Sequence, residues 1–231
     1  MNDEKIDNTT LILNTLKEKA VIKQEVYQTT LDAFNTTKKV IKYLINNYKS
    51  QLKGEMQKIS LEYTDKGLFE AEMRVAGDLL VFNMHSNVFE FPKEHWVWNN
   101  EYVKQNVNNS YCGIINIYNF LSDSFKYKRM NDYGFIVARI FVNREGHYFV
   151  EGNQDFGSIN DDFGVNKLDI AILREIIQYI IIHSLEVDLL VPPMKDIQIA
   201  TVAQMLDKIN TSRIKTGKPM GFQSNANNSA K

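Results

Sequence analysis

From Thr9 to Lys53 the chain contains neither Gly nor Pro, and Gly54 marks the point where its hydrophobic period changes. Within that run Tyr27, Phe34, Ile41 and Tyr48 recur every seven residues, and Leu31, Ile45 and Leu52 follow three of them by four. This is the a/d pattern of a coiled-coil seam, with Lys38 its single polar interruption. Val26, Val40 and Leu44 widen the stripe towards that of a helix packed on a globular core. Two readings fit. Either a long helix lies across its own sheet, or the chain forms a homo-oligomer through helix 20–53. A shorter helix from Thr9 to about Lys19 is expected ahead of it.

After Gly54 the period becomes two. Ile59, Leu61 and Tyr63 alternate with Lys58, Ser60 and Glu62, and Phe69, Ala71, Met73 and Val75 alternate with Glu70, Glu72 and Arg74. Leu80, Phe82 and Met84 follow, then Phe89 and Phe91. Turn-forming residues separate the runs, so the stretch predicts a four-stranded antiparallel meander with one apolar face. A loop at Asp65–Gly67 sets Tyr63 opposite Phe69. A turn at Gly77–Asp78 sets Met73 opposite Phe82, and a turn at Ser86–Asn87 sets Phe82 opposite Phe91.

Pro92 to Tyr111 breaks the alternation and reads as a long loop with a helical turn or two near Asn100–Asn106. Loops of this length are uncommon inside compact domains and are often functional. It carries Trp96 and Trp98, which share a face if the segment is extended and would serve as a core lid or a partner contact. A fifth strand, Gly113 to Leu121, bears Tyr118. The segment Ser122 to Asp132 interleaves Lys126, Lys128 and Arg129 with Phe125 and Tyr127. That mixture suits either a solvated loop or a phosphate- or base-contacting one.

Tyr133 to Gly152 reads as a hairpin. The turn "NREGH" predicts a left-handed Gly146, pairing Asn143 with His147, Phe141 with Phe149 and Arg139 with Glu151. Arg139 thus gains a carboxylate directly across the ladder. The pair either closes the sheet, or Arg139 meets an anionic group while Glu151 orients it. Two helices follow, Lys167 to about Leu185 and Ile197 to Ile209, and then a polar tail.

Together these elements predict an α+β fold: an antiparallel meander of about seven strands flanked by a long N-terminal helix and two C-terminal helices. Residues 1–215 read as one domain, with helices over 9–53, the sheet over 58–152 and helices over 167–209. Residues 216–231 form the tail.

A net charge of −1 supplies no basic field, so nucleic acid is not an expected partner. One cysteine, Cys112, excludes an intramolecular disulfide and fits a reducing compartment. The apolar run from Ile170 to Val191 is broken by Arg174, Glu175, Gln178, His183, Glu186 and Asp188, which excludes a simple membrane span. The N-terminus lacks a secretory pattern, and the chain reads as cytoplasmic.

The four histidines have no metal-binding spacing, and no nucleotide-loop or nucleophile-elbow motif occurs. No cofactor is expected. The chain therefore reads as a non-enzymatic binding or assembly module. Its candidate contacts for a protein partner or small anionic ligand are Arg139, Glu151, His147, Trp96, Trp98, Tyr118, Tyr127 and Arg129. The alternative is a metal-assisted hydrolase on the acidic sheet face, using Glu62, Glu70, Glu72 and Glu90 with His85.

Overall fold

The Gly- and Pro-free run is helical in the computed structural model, which describes residues 7–130, 132–152 and 163–187. It forms α1 (Asn8–Thr15), a π-helical turn over Leu16–Ala20 and α2 (Val21–Gln51). The junction expected near Lys19 is this π turn, a local insertion in the helical ladder. Leu52 leaves the helix in an extended conformation, and Gly54 adopts the left-handed φ of 60° that suits glycine.

The stripe of α2 is spent inside the chain. Phe34, Ile41 and Ile45, three residues of the predicted seam, are buried in one core with Met73, Phe82, Ile115 and Ile140 of the sheet. Burying a stripe this wide removes enough apolar surface from water to hold the helix on the sheet.

Among the described residues the sheet has six strands, β1 (Leu61–Asp65), β2 (Glu70–Val75), β3 (Asp78–Met84), β4 (Cys112–Leu121), β5 (Phe135–Asn143) and β6 (Tyr148–Gly152). They are antiparallel and lie in chain order. The fold is α+β, as the periodicity predicts, with six strands in place of seven.

The strand that is missing is the one expected at Phe89–Phe91. Ser86 and Asn87 do not reverse the chain. Instead His85 donates to the Ile114 carbonyl at 2.9 Å, and Phe89 exchanges both backbone bonds with Cys112 at 2.8 and 2.9 Å. Long-range pairing with β4 satisfies the backbone groups that a local hairpin would have used.

Two registers also differ. Tyr63 faces Met73 rather than Phe69, because the β1–β2 connection runs beyond Gly67 to Phe69. Met73 faces Leu80 rather than Phe82, because the next turn uses Ala76, at φ 53°, and Gly77. Both shifts are even in residue count, so each side chain keeps the face predicted for it.

One sheet face packs against α2 and against α5 (Ile170–Glu186), whose Leu173, Ile176, Ile177 and Ile180 enter the same core. Asp169 caps α5 by accepting from the Ile172 N–H at 2.8 Å. Helix α2 crosses β4 closely at Gly113, where an added Cβ would lie 2.1 Å from Thr30 Oγ1. The opposite sheet face is covered at one end by the 91–110 segment, through a smaller core of Phe91, Val97, Val103, Phe141, Phe149 and Phe163. No described helix is long and apolar enough to cross a membrane. The helix expected over Ile197–Ile209 and the tail 216–231 lie outside the described residues.

Candidate functional site

The β5–β6 turn is built by Asn143. Its Oδ1 accepts from the N–H groups of Glu145 and His147, both at 3.0 Å, while Gly146 takes φ 82°. This asparagine-led turn sets the register Phe141 with Phe149 and Arg139 with Glu151. The two rings stack at 4.7 Å, and the Arg139 guanidinium lies over Phe141 at 5.3 Å from its centroid.

Glu151 stands between two donors. Arg139 Nη2 donates to Glu151 Oε2. His95 Nε2 lies 3.3 Å from Oε1. The Val97 N–H donates to His95 Nδ1 at 3.3 Å, which places the imidazole proton on Nε2, directed at Glu151. His95 stacks on Phe91 at 4.5 Å, and Trp96 meets Phe149 edge-on at 4.9 Å while remaining 45 % exposed. Arg139 is 47 % exposed at its side chain, so guanidinium donors not engaged by Glu151 face solvent.

The strands extend this cluster into a line. On the sheet face opposite the helices, Glu70 pairs with Asn83, Asn83 with Asn116, Asn116 with Arg139 and Arg139 with Glu151. Five strands thus contribute one polar residue each to a continuous row, ending at His95. Asn83, Asn116 and His95 are absent from the sequence-level candidates. The β4–β5 pairing sets Asn116 beside Arg139, the β3–β4 pairing adds Asn83 next to Asn116, and the loop segment brings His95 to Glu151; periodicity carries no signal for these long-range placements.

The other predicted residues have different surroundings. Trp98 is not on a common face with Trp96. The segment forms a 3₁₀ turn over Trp96–Asn99, capped by His95, and is not extended there. Trp98 Nε1 donates to the carbonyls of Phe91 and Pro92 at 3.1 and 2.9 Å, and the Lys93 ammonium sits 3.4 Å over its ring. It latches the loop to itself.

His147 lies at the turn, where Nδ1 donates to the Asn166 carbonyl at 2.9 Å and the ring meets Tyr102 edge-on. Tyr102, on α3 (Glu101–Gln105), donates its hydroxyl to Glu145 at 2.7 Å and accepts from Asn143 Nδ2 at 2.8 Å. Burial, helped by the Glu145 carboxylate, raises the Tyr102 pKa and keeps the phenol neutral.

Tyr118, Tyr127 and Arg129 lie on β4 and the segment after it, and the structure gives them separate partners. Tyr118 is half-buried on the polar-row face opposite Val81, and Tyr127 is exposed beneath Lys126. Arg129 is 10 % exposed and lies 2.7 Å from Asp132, which also accepts from Ser124 Oγ at 2.6 Å. Its charge is neutralised within the loop that starts at α4 (Ser122–Lys126).

The observed registers disperse the acidic face. Glu62 lies opposite Arg74 rather than Glu70, and Glu70 opposite Asn83 rather than His85. Glu72 is ion-paired with Lys66 at 3.1 Å, and Glu90 with Lys93 at 3.5 Å. Among the described residues no group of three His, Cys, Asp or Glu side chains could hold a metal ion. Comparison with protein-family models, curated proteins and solved structures gives no match to this chain.

Proposed function

We infer that the protein is a non-enzymatic binding or assembly module whose recognition surface is the polar row and its aromatic rim. The observation that carries this reading is the half-exposed Arg139, held by Glu151 in line with Asn116 and Asn83, on a strand pair whose Phe149 also carries the exposed indole of Trp96. Planar donors on a rigid sheet, beside an aromatic anchor, suit a protein partner or small ligand presenting a carboxylate or similar anion. A half-exposed guanidinium held by a carboxylate beside aromatic rings suits recognition of an anion.

Self-association belongs to the same reading. The seam residues of α2 face the sheet, so support for self-association moves to the exposed Leu11, Ile12, Leu13 and Leu16 ahead of it.

Native mass spectrometry of the purified full chain tests both parts. The expected outcome is a retained anionic ligand or partner, or a second copy, in the wild type. Arg139→Ala with Trp96→Ala should lose the bound anion or partner and keep its fold. A wild-type protein that is strictly monomeric and empty, in several expression hosts, would sink the reading.

A further inference from the structure

We propose that the cleft between α2 and the 86–89 loop is a separate binding site for a small organic anion with a flat apolar body. The cleft measures about 620 Å³ and is lined by Ala20, Lys23, Gln24 and Tyr27 on the helix and by Ser86–Phe89 on the loop. That volume is within the range of small-molecule sites, which combine apolar walls with a few placed polar groups.

The cleft exists because the chain does not reverse at Ser86–Asn87. The loop instead leaves β3 and rejoins β4 through Phe89, and it is held in shape by the Asn87 N–H donating to His85 Nδ1 at 3.0 Å. His85 in turn meets Phe89 edge-on at 4.7 Å. Val88 packs on a small buried cluster of Ile22, Val26 and Tyr111, which anchors the loop to the helix. On the helix side, the π turn over Leu16–Ala20 adjoins the wall at Ala20; such turns recur at functional sites.

The lining chemistry selects the ligand. Lys23 is the one charged residue of the lining, and among the described residues it has no carboxylate partner; its ammonium lies 5.8 Å over the Tyr111 ring. The side chains of Gln24, Ser86 and Asn87 likewise have no hydrogen-bond partner among the described residues. Tyr27, Val88 and Phe89 supply the apolar part. A lysine ammonium with no carboxylate partner among the described residues, beside the rings of Tyr27 and Phe89, favours an aromatic or branched carboxylate or sulfonate over a cation.

Anilinonaphthalene sulfonate, which joins aromatic rings to one fixed negative charge, is the probe. Titration of the full chain should give saturable fluorescence, with amide shifts at Lys23–Tyr27 and Ser86–Phe89. Lys23→Glu should weaken binding about tenfold or more, and Lys23→Arg should keep it within about twofold. Absence of binding, shifts centred on Leu11–Leu16, or an affinity unchanged in Lys23→Glu would each overturn the proposal. The wild-type shift map decides the matter even if Lys23→Glu fails to fold.

Discussion

Lys38, the polar interruption in an otherwise apolar helix stripe, donates to Asp65 Oδ1 at 2.8 Å across the end of β1. It also donates to the Gly67 carbonyl, and its ammonium lies 5.2 Å over the Phe34 ring. The long stem is buried with the core while the head closes the β1–β2 connection. The residue that interrupts the seam is therefore the one that ties helix to hairpin.

This contact has a pH signature. The hydrogen bond from Lys38, and then the Gly67 N–H, hold the Asp65 carboxyl below its ordinary value of 3.8. A depressed folded pKa means that the stabilisation is complete above the ordinary value and is lost as pH falls through the folded one. Urea denaturation should show wild type more stable than Asp65→Asn at neutral pH, with the gap closing under acid. A gap that stayed constant down to the acid transition would remove the ion pair as its cause.

Gly113→Ala should be costly although alanine is the mildest side chain. The new Cβ would meet Thr30 Oγ1 at 2.1 Å and its Cβ and Cγ2 at 2.7 Å, so α2 must lift from β4. A loss of about 1–3 kcal/mol is expected in equilibrium unfolding. Thr30→Ala in the same background should recover part of it.

The two tryptophans should separate. Trp98→Phe leaves the Phe91 and Pro92 carbonyls without their indole donor and should cost about 1–2 kcal/mol. Trp96→Phe retains the contact with Phe149 at an exposed site and should fall within about 0.5 kcal/mol of wild type. Thermal unfolding of both variants checks this order.

Arg139→Ala should change stability by less than about 1 kcal/mol, as expected for a half-exposed ion pair. Its effect should appear in partner or ligand binding. A large drop in stability with binding unchanged would make the pair a sheet-closing contact alone.

Cys112 should be inert in the native protein. It is fully buried, and burial raises its pKa well above neutrality. A chromogenic disulfide reagent should label it only after denaturant is added. Rapid labelling of the folded chain would show that its site opens locally.

Periodicity by itself determined the helical run that ends at Gln51, the alternating strands β1 to β3 and the face each of their side chains takes, because each depends on neighbours along the chain. The Arg139–Glu151 pairing was legible for the same reason: the intervening turn is short and its residues set the register. The tertiary structure alone decided that β3 pairs with β4 instead of Phe89–Phe91, since either pairing would satisfy the same backbone groups. With that choice came the row through Asn83 and Asn116, the cleft beside Lys23 and the dispersal of the acidic face. It likewise assigned Lys38 to Asp65 and Arg129 to Asp132. Charge pairing depends on distance in space, and these partners are fixed only when the whole sheet and its loops are in place.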